Sequence, residues 1–210
     1  MMRAYKFLDA SGRAPFTLTP WLPGEWVEAA AAVPCREGVH ACRPEHLSYW
    51  LAPSLWEIEL EEPVVATRHK LVARAGRLIA RVDGYPAAAH QLGAVCAWRA
   101  RDRAVEALQG AGAGGAASRF AAATNLSELR NLLGETDDAT FEGTAAALAA
   151  DTAHFALSGP ITEAPFTGAC SAGHLAAGLG AAQADFDRGY AEERTFQSAW
   201  LVERLGLVVD

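Results

Sequence analysis

The order of apolar and polar positions divides the chain near residue 85. Before that point, short apolar or alternating runs are cut every few residues by Gly, Pro or Asp, the texture of strands joined by turns. Residues 4–8 form a candidate strand closed by Asp9, Ala10, Ser11 and Gly12; residues 25–29 follow a Pro23-Gly24 turn signal, and residues 39–42 make a third. Strict alternation in residues 56–60 places Trp56, Ile58 and Leu60 on one face and Glu57 and Glu59 on the other, which predicts a half-buried strand. Residues 69–73 and 77–82, on either side of Ala75-Gly76, predict a closing hairpin. Pro44 suits the first turn of a short helix carrying His46, Leu47, Tyr49 and Trp50.

Beyond Pro86 the segments lengthen and become rich in alanine, whose helix propensity favours helices. Helices are predicted over residues 86–108 and 118–133, with the glycines of 110–115 as a linker between them. A third, started by Thr136, Asp137 and Asp138, should run toward Leu157 and stop at Ser158-Gly159-Pro160. The last, over 185–205, puts Phe186, Tyr190, Phe196, Trp200 and Leu201 near one stripe, expected to pack inward with the charges mostly elsewhere. The predicted class is α+β: a β-rich unit over 1–84 with one short helix, then a helical unit over 85–210.

Charge sharpens this division. Residues 1–90 carry 10 Lys+Arg and 10 Asp+Glu, whereas 91–210 carry 8 and 15, so the net charge of -7 belongs to the helical part. A net-acidic chain without a basic run lacks the footprint of a phosphate-backbone binder, and no nucleic-acid partner is expected. No apolar signal run follows the first residues and charges interrupt the alanine stretches, so no membrane partner is expected either. Four dispersed cysteines in a domain-sized chain are not a small disulfide scaffold; reduced thiols in the cytoplasm are the expectation.

Candidate chemistry concentrates in residues 35–46, which hold Cys35, His40, Cys42 and His46. His40 and Cys42 would share a strand face, and the four could in principle close a tetrahedral zinc set. Their spacing fits none of the common zinc patterns, and the competing reading is a buried neutral histidine beside small core thiols. His40 is also a candidate general acid or base, with Glu28, Glu57 or Glu59 able to orient it. Four of the six tryptophans lie within residues 21–56. Trp56 reads as core, whereas Trp26 and Trp50, with Tyr49 and His46, are candidates for a ligand-binding wall. In the helical part, Asp151 and His154 share a helix face, but a di-metal site needs a second such pair. Phosphate-loop, dinucleotide and nucleophile-elbow motifs are absent, so no cofactor is implied.

The N-terminal segments resemble an uncharacterised family found in phages and actinobacterial chromosomes. The resemblance is carried by residues 5–8, Gly24-Glu25-Trp26-Val27-Glu28, Gly38-Val39-His40-Ala41-Cys42, the aromatic helix at 47–50, the 56–60 strand and His69-Lys70-Leu71-Val72-Ala73. It covers residues 4–84 and implies the same architecture with an alanine-rich helical tail; Val39 stands where the family usually has an aromatic. It singles out His40 without naming a reaction. The order of a glycine-containing strand, short helix and strand also resembles ADP-ribosyltransferase-like folds at the level of the fold.

The expectation is therefore a protein that takes a small organic ligand, aromatic or apolar, in a pocket around His40, with acid/base chemistry by His40, Glu28 and Glu59 as an extension. Trp26, Tyr49, Trp50 and His46 would contact that ligand. The first alternative is a non-catalytic interaction or scaffolding protein associating through its helical half, as a homodimer for example. The second is a nucleotide-dependent transferase of ADP-ribosyltransferase-like fold.

Overall fold

A computed structural model of the chain describes residues 1–132, 141–177 and 183–208. The protein is α+β, and its contacts divide it into two compact units, Met1–Ala88 with Ser198–Asp210, and Ala89–Gln197. The end of the last helix thus belongs with the N-terminal unit.

In the first unit, β1 (Met2–Leu8), β4 (Ser54–Leu60), β7 (Ala75–Arg81) and β2 (Trp26–Glu28) form an antiparallel sheet in the order β1-β4-β7-β2. A second sheet has the order β3-β6-β5, from β3 (Val39–Ala41), β6 (Leu71–Ala73) and β5 (Val65–Ala66). The sheets share one core: Ala4, Leu8, Ile58, Leu60 and Leu78 from the first meet Val39, Ala41, Leu71 and Ala73 from the second, and Trp21 belongs to the same cluster. Alternation in β4 holds for Ile58 and Leu60, both fully buried, while a bulge between Glu57 and Ile58 leaves Trp56 half-buried against the same core. Pro44 opens a short 3-10 helix, Pro44–Tyr49.

The expected hairpin over 69–82 does not form. β6 pairs with β3 and β5, whereas β7 pairs with β4 and β2. Only Arg74 separates β6 from β7, too little chain for a two-residue hairpin turn, so the backbone bends there and passes from one sheet to the other. Gly76 permits the crossing, because a Cβ there would stand 2.9 Å from Val39 Cγ1 and 3.1 Å from the Glu59 carbonyl oxygen. Gly38 does the same for the site strand. At φ +126° it takes a conformation side chains rarely adopt, and a Cβ would lie 2.6 Å from Val72 Cγ1.

The second unit is helical: α1 (Tyr85–Gly110, whose first turn lies in the first unit), α2 (Gly114–Ala122), α3 (Leu126–Asn131), α4 (Phe141–Ser158), α5 (Glu163–Ala177) and α6 (Gln183–Leu205). Its core is largely alanine, with Leu108, Phe120 and Leu129 supplying the bulk. Three expectations change. Gly114 and Gly115 begin α2 instead of belonging to a linker. The single helix over 118–133 is two, because Asn125 caps α3 by accepting from the Glu128 N–H at 3.0 Å. The α5 helix went unpredicted because Pro165, Gly168 and Gly173 weaken its signal, although Pro165 sits in the first turn, where proline is tolerated. The proposed cap residues Thr136, Asp137 and Asp138 lie outside the described residues.

The stripe expected on the last helix is corrected except at Leu201, which is fully buried. In α6 the buried side chains are Glu193, Arg194, Gln197, Ser198 and Leu201, while Phe186, Tyr190, Phe196 and Trp200 are only half-buried. Burial of Glu193 is sustained by two arginines of α1: Arg99 Nη2 lies 2.9 Å and Arg103 Nη1 2.6 Å from Glu193 Oε2. Periodicity of apolar residues cannot reveal such a face, because the cations that permit Glu193 to be buried stand on another helix. Asp151 and His154 are exposed.

Candidate functional site

A cavity of 680 Å³ opens in the first unit, walled by β1, β2, β3 and the loops that precede β2 and β3. Trp21, Trp50, Phe16, Val27 and Val39 give it an apolar lining; Lys6, Glu28, Arg36, His40 and Lys70 are its charged or titratable members besides thiols and Tyr5.

His40 stands in the middle of β3, where β6 pairs with it at Val72. Its Nδ1 lies 3.0 Å from the Gly38 carbonyl oxygen. A carbonyl only accepts, so Nδ1 carries the proton and Nε2 holds the lone pair of a neutral ring. Burial pushes the imidazole below its ordinary value, reinforcing that neutral state. Nε2 is shielded from solvent and has no hydrogen-bond partner.

Lys6 was not singled out by the sequence reading. Position 6 of β1 lies opposite Trp56 in β4, and its side chain is only 7% exposed. Lys6 Nζ donates to the His40 carbonyl oxygen at 2.8 Å and stands 4.5 Å from the centroid of the Trp21 ring. Desolvation brings its ammonium down to about 8 from the usual 10.5. The available signal was a lone lysine inside the apolar run of residues 4–8. Trp21, also missed, is 6% exposed and lines the same cavity.

The thiols divide by environment. Cys42 is buried, which pushes its thiol up, and its backbone bridges β1 by exchanging hydrogen bonds with Tyr5 at 2.9 and 2.8 Å. Cys35 is exposed in a left-handed conformation, φ 63°, with Lys70 Nζ 2.6 Å from its Sγ. The four residues weighed as a zinc set are not gathered: among the described residues, no group of three or more His, Cys, Asp or Glu side chains is placed to hold a metal ion.

Of the residues named from sequence, the cavity brings together His40, Glu28 and Trp50. Glu59 lies elsewhere, paired with Arg77 at 2.8 Å. Trp26 is 37% exposed beneath the Arg77 guanidinium, 5.2 Å from its ring centroid, and does not line the cavity. Tyr49 and His46 join a separate cluster with His69: Tyr49 stacks on His69 at 3.8 Å and His46 meets it edge-on at 5.1 Å. Burial lowers both His46 and His69; at His46 the Glu45 carboxylate opposes this and Arg43 adds to it, while at His69 both His46 and Arg68 add to it. Trp50 links cluster and cavity, its Nε1 donating to the His69 carbonyl oxygen at 2.7 Å.

Such an arrangement can enclose an apolar body, offer one buried ammonium and hold a neutral imidazole in its wall. Among the described residues, no helix is long and apolar enough to cross a membrane. No protein-family model, curated protein or solved structure matches the chain.

Proposed function

We propose that the β-rich unit binds a small organic molecule with an aromatic or apolar body. The observation that carries this reading is the 680 Å³ cavity, whose aromatic and aliphatic wall is interrupted by a few polar groups. Its size falls within the range of roughly 300–1,000 Å³ occupied by small-molecule sites. Phe16, 87% exposed among the lining residues, offers an aromatic face that a ligand would cover. Acid/base chemistry, where the ligand undergoes it, would draw on the His40 Nε2 lone pair, which needs the surrounding wall to move before a ligand reaches it. Glu28 shares the cavity and is the carboxylate available to it there.

Titration of the full chain with a panel of aromatic and aliphatic fragments, followed by heteronuclear NMR, tests the reading. Binding should move the amide resonances of Val27, Gly38, Val39 and Ala41 and leave those of residues 89–197 in place. Absence of any such shift at millimolar fragment concentrations overturns it.

A further inference from the structure

The cavity wall is electrically lopsided: Lys6, Arg36 and Lys70 are cationic and Glu28 is its one carboxylate, in a chain of net charge -7. Arg36 and Glu28 are exposed, where water screens them. Lys6 is not. Its ammonium meets a carbonyl oxygen and the face of an indole, and no carboxylate pairs with it among the described residues. An ammonium has three N–H donors and no acceptor. The His40 carbonyl takes one and the Trp21 face meets the charge from one side, leaving donor capacity and a full positive charge beside an apolar cavity. A neutral apolar ligand would deepen the desolvation of that charge, whereas an anionic group would answer it with a charge-assisted hydrogen bond.

We infer that the cavity takes an organic anion, an aromatic or aliphatic body ending in a carboxylate that pairs with Lys6. The inference rests on the proposed reading of the cavity as a ligand site and specifies its ligand class. It also predicts a proton signature. The Lys6 amine of the free protein loses its proton near pH 8, and a bound carboxylate restores it, so binding above that pH takes up a proton. The other titratable or charged groups of the cavity wall are Tyr5 on its own strand, His40 of β3 with Cys42 after it and Cys35 and Arg36 before it, Lys70 before β6 and Glu28 of β2; β4 lays Trp56 opposite Lys6. Cys42, held protonated by burial, has no place for another proton, and His40, pushed below its ordinary value by burial, lies further from protonation above pH 8 than Lys6 does, so neither supplies the signature.

Isothermal titration calorimetry with naphthylacetate and its neutral counterpart naphthylethanol tests the inference. The acid should bind about tenfold or more tightly than the alcohol, the value of one charge-assisted hydrogen bond. At about pH 8.5 the acid's heat should depend on the buffer's ionisation enthalpy in the sense of proton uptake. Lys6→Met should erase the preference for the acid and keep alcohol binding, while Lys70→Met should retain the preference. Equal binding of the two compounds, absence of proton uptake, or loss of the preference in Lys70→Met alone overturns the inference and leaves the cavity as a site for neutral ligands. Binding of neither compound overturns the inference, and joined to a silent fragment panel it overturns the ligand-site reading as well. Proton uptake is measured on the unmodified protein, so the outcome does not depend on the variants folding.

Discussion

Replacing Lys6 by methionine keeps an unbranched side chain of similar length and removes a buried charge, so its effect on stability can be worked from the structure. The ammonium titrates at about 8 in the folded protein against 10.5 in a solvated lysine. At about 1.4 kcal/mol per pH unit, that gap corresponds to roughly 3 kcal/mol. At pH 7 the group is charged in both states, so the folded state carries this cost in full. As pH rises from about 8 toward 10.5, the folded protein releases the proton while the unfolded chain keeps it, and stability climbs by the same amount. The variant lacks this rise. Its gain at pH 7 is reduced, because it also loses the bond to the His40 carbonyl and the contact with Trp21, together about 1–2 kcal/mol. The net expectation is a variant more stable than the parent by about 1–2 kcal/mol at pH 7 and less stable by a similar amount near pH 10.5. Urea unfolding of both proteins by tryptophan fluorescence across this range measures the difference, in which other titrating groups cancel. A difference that stays flat within about 0.5 kcal/mol over the range would refute the placement of Lys6 in a desolvated wall. A group that destabilises the fold at neutral pH, set at a cavity surface, is what a binding role for its charge would produce.

Glu193→Gln should lower stability by about 2 kcal/mol, less than the roughly 3–5 kcal/mol for breaking a fully buried ion pair, because Arg99 and Arg103 are 33% and 26% exposed and regain water; an unchanged thermal midpoint would show that these arginines contribute nothing net. Gly38→Ala combines a positive φ with a Cβ pressed to 2.6 Å from Val72 Cγ1 and 3.0 Å from the Ala73 carbonyl oxygen. It should cost about 3 kcal/mol or more and weaken ligand binding through displacement of β3, as read by urea unfolding and fragment titration. A neutral outcome at position 38 would mean that β3 is not held against β6 as described.

What could be read along the chain was local. Alternation fixed the buried face of β4 at Ile58 and Leu60, Pro44 marked the start of a helical turn, and the Ser158-Gly159-Pro160 stop ended α4 where expected. Each reflects backbone geometry and side-chain size within a few residues. The cluster of His40, Glu28 and Trp50 at one cavity was suggested by nearness in sequence, while Trp26, Tyr49, His46 and Glu59 were equally near and face elsewhere. Sheet membership of β6 and β7, the polar buried face of α6 and the role of Lys6 were not legible. Each depends on groups remote in sequence: β3 and β4 choosing different partners, Arg99 and Arg103 neutralising Glu193 across 94 and 90 positions, and Trp21 and the His40 carbonyl receiving an ammonium from β1. Hydrophobic periodicity records which side chains tend to leave water. Which partner meets them once they have left, and therefore which charges can be buried, is decided by the tertiary fold.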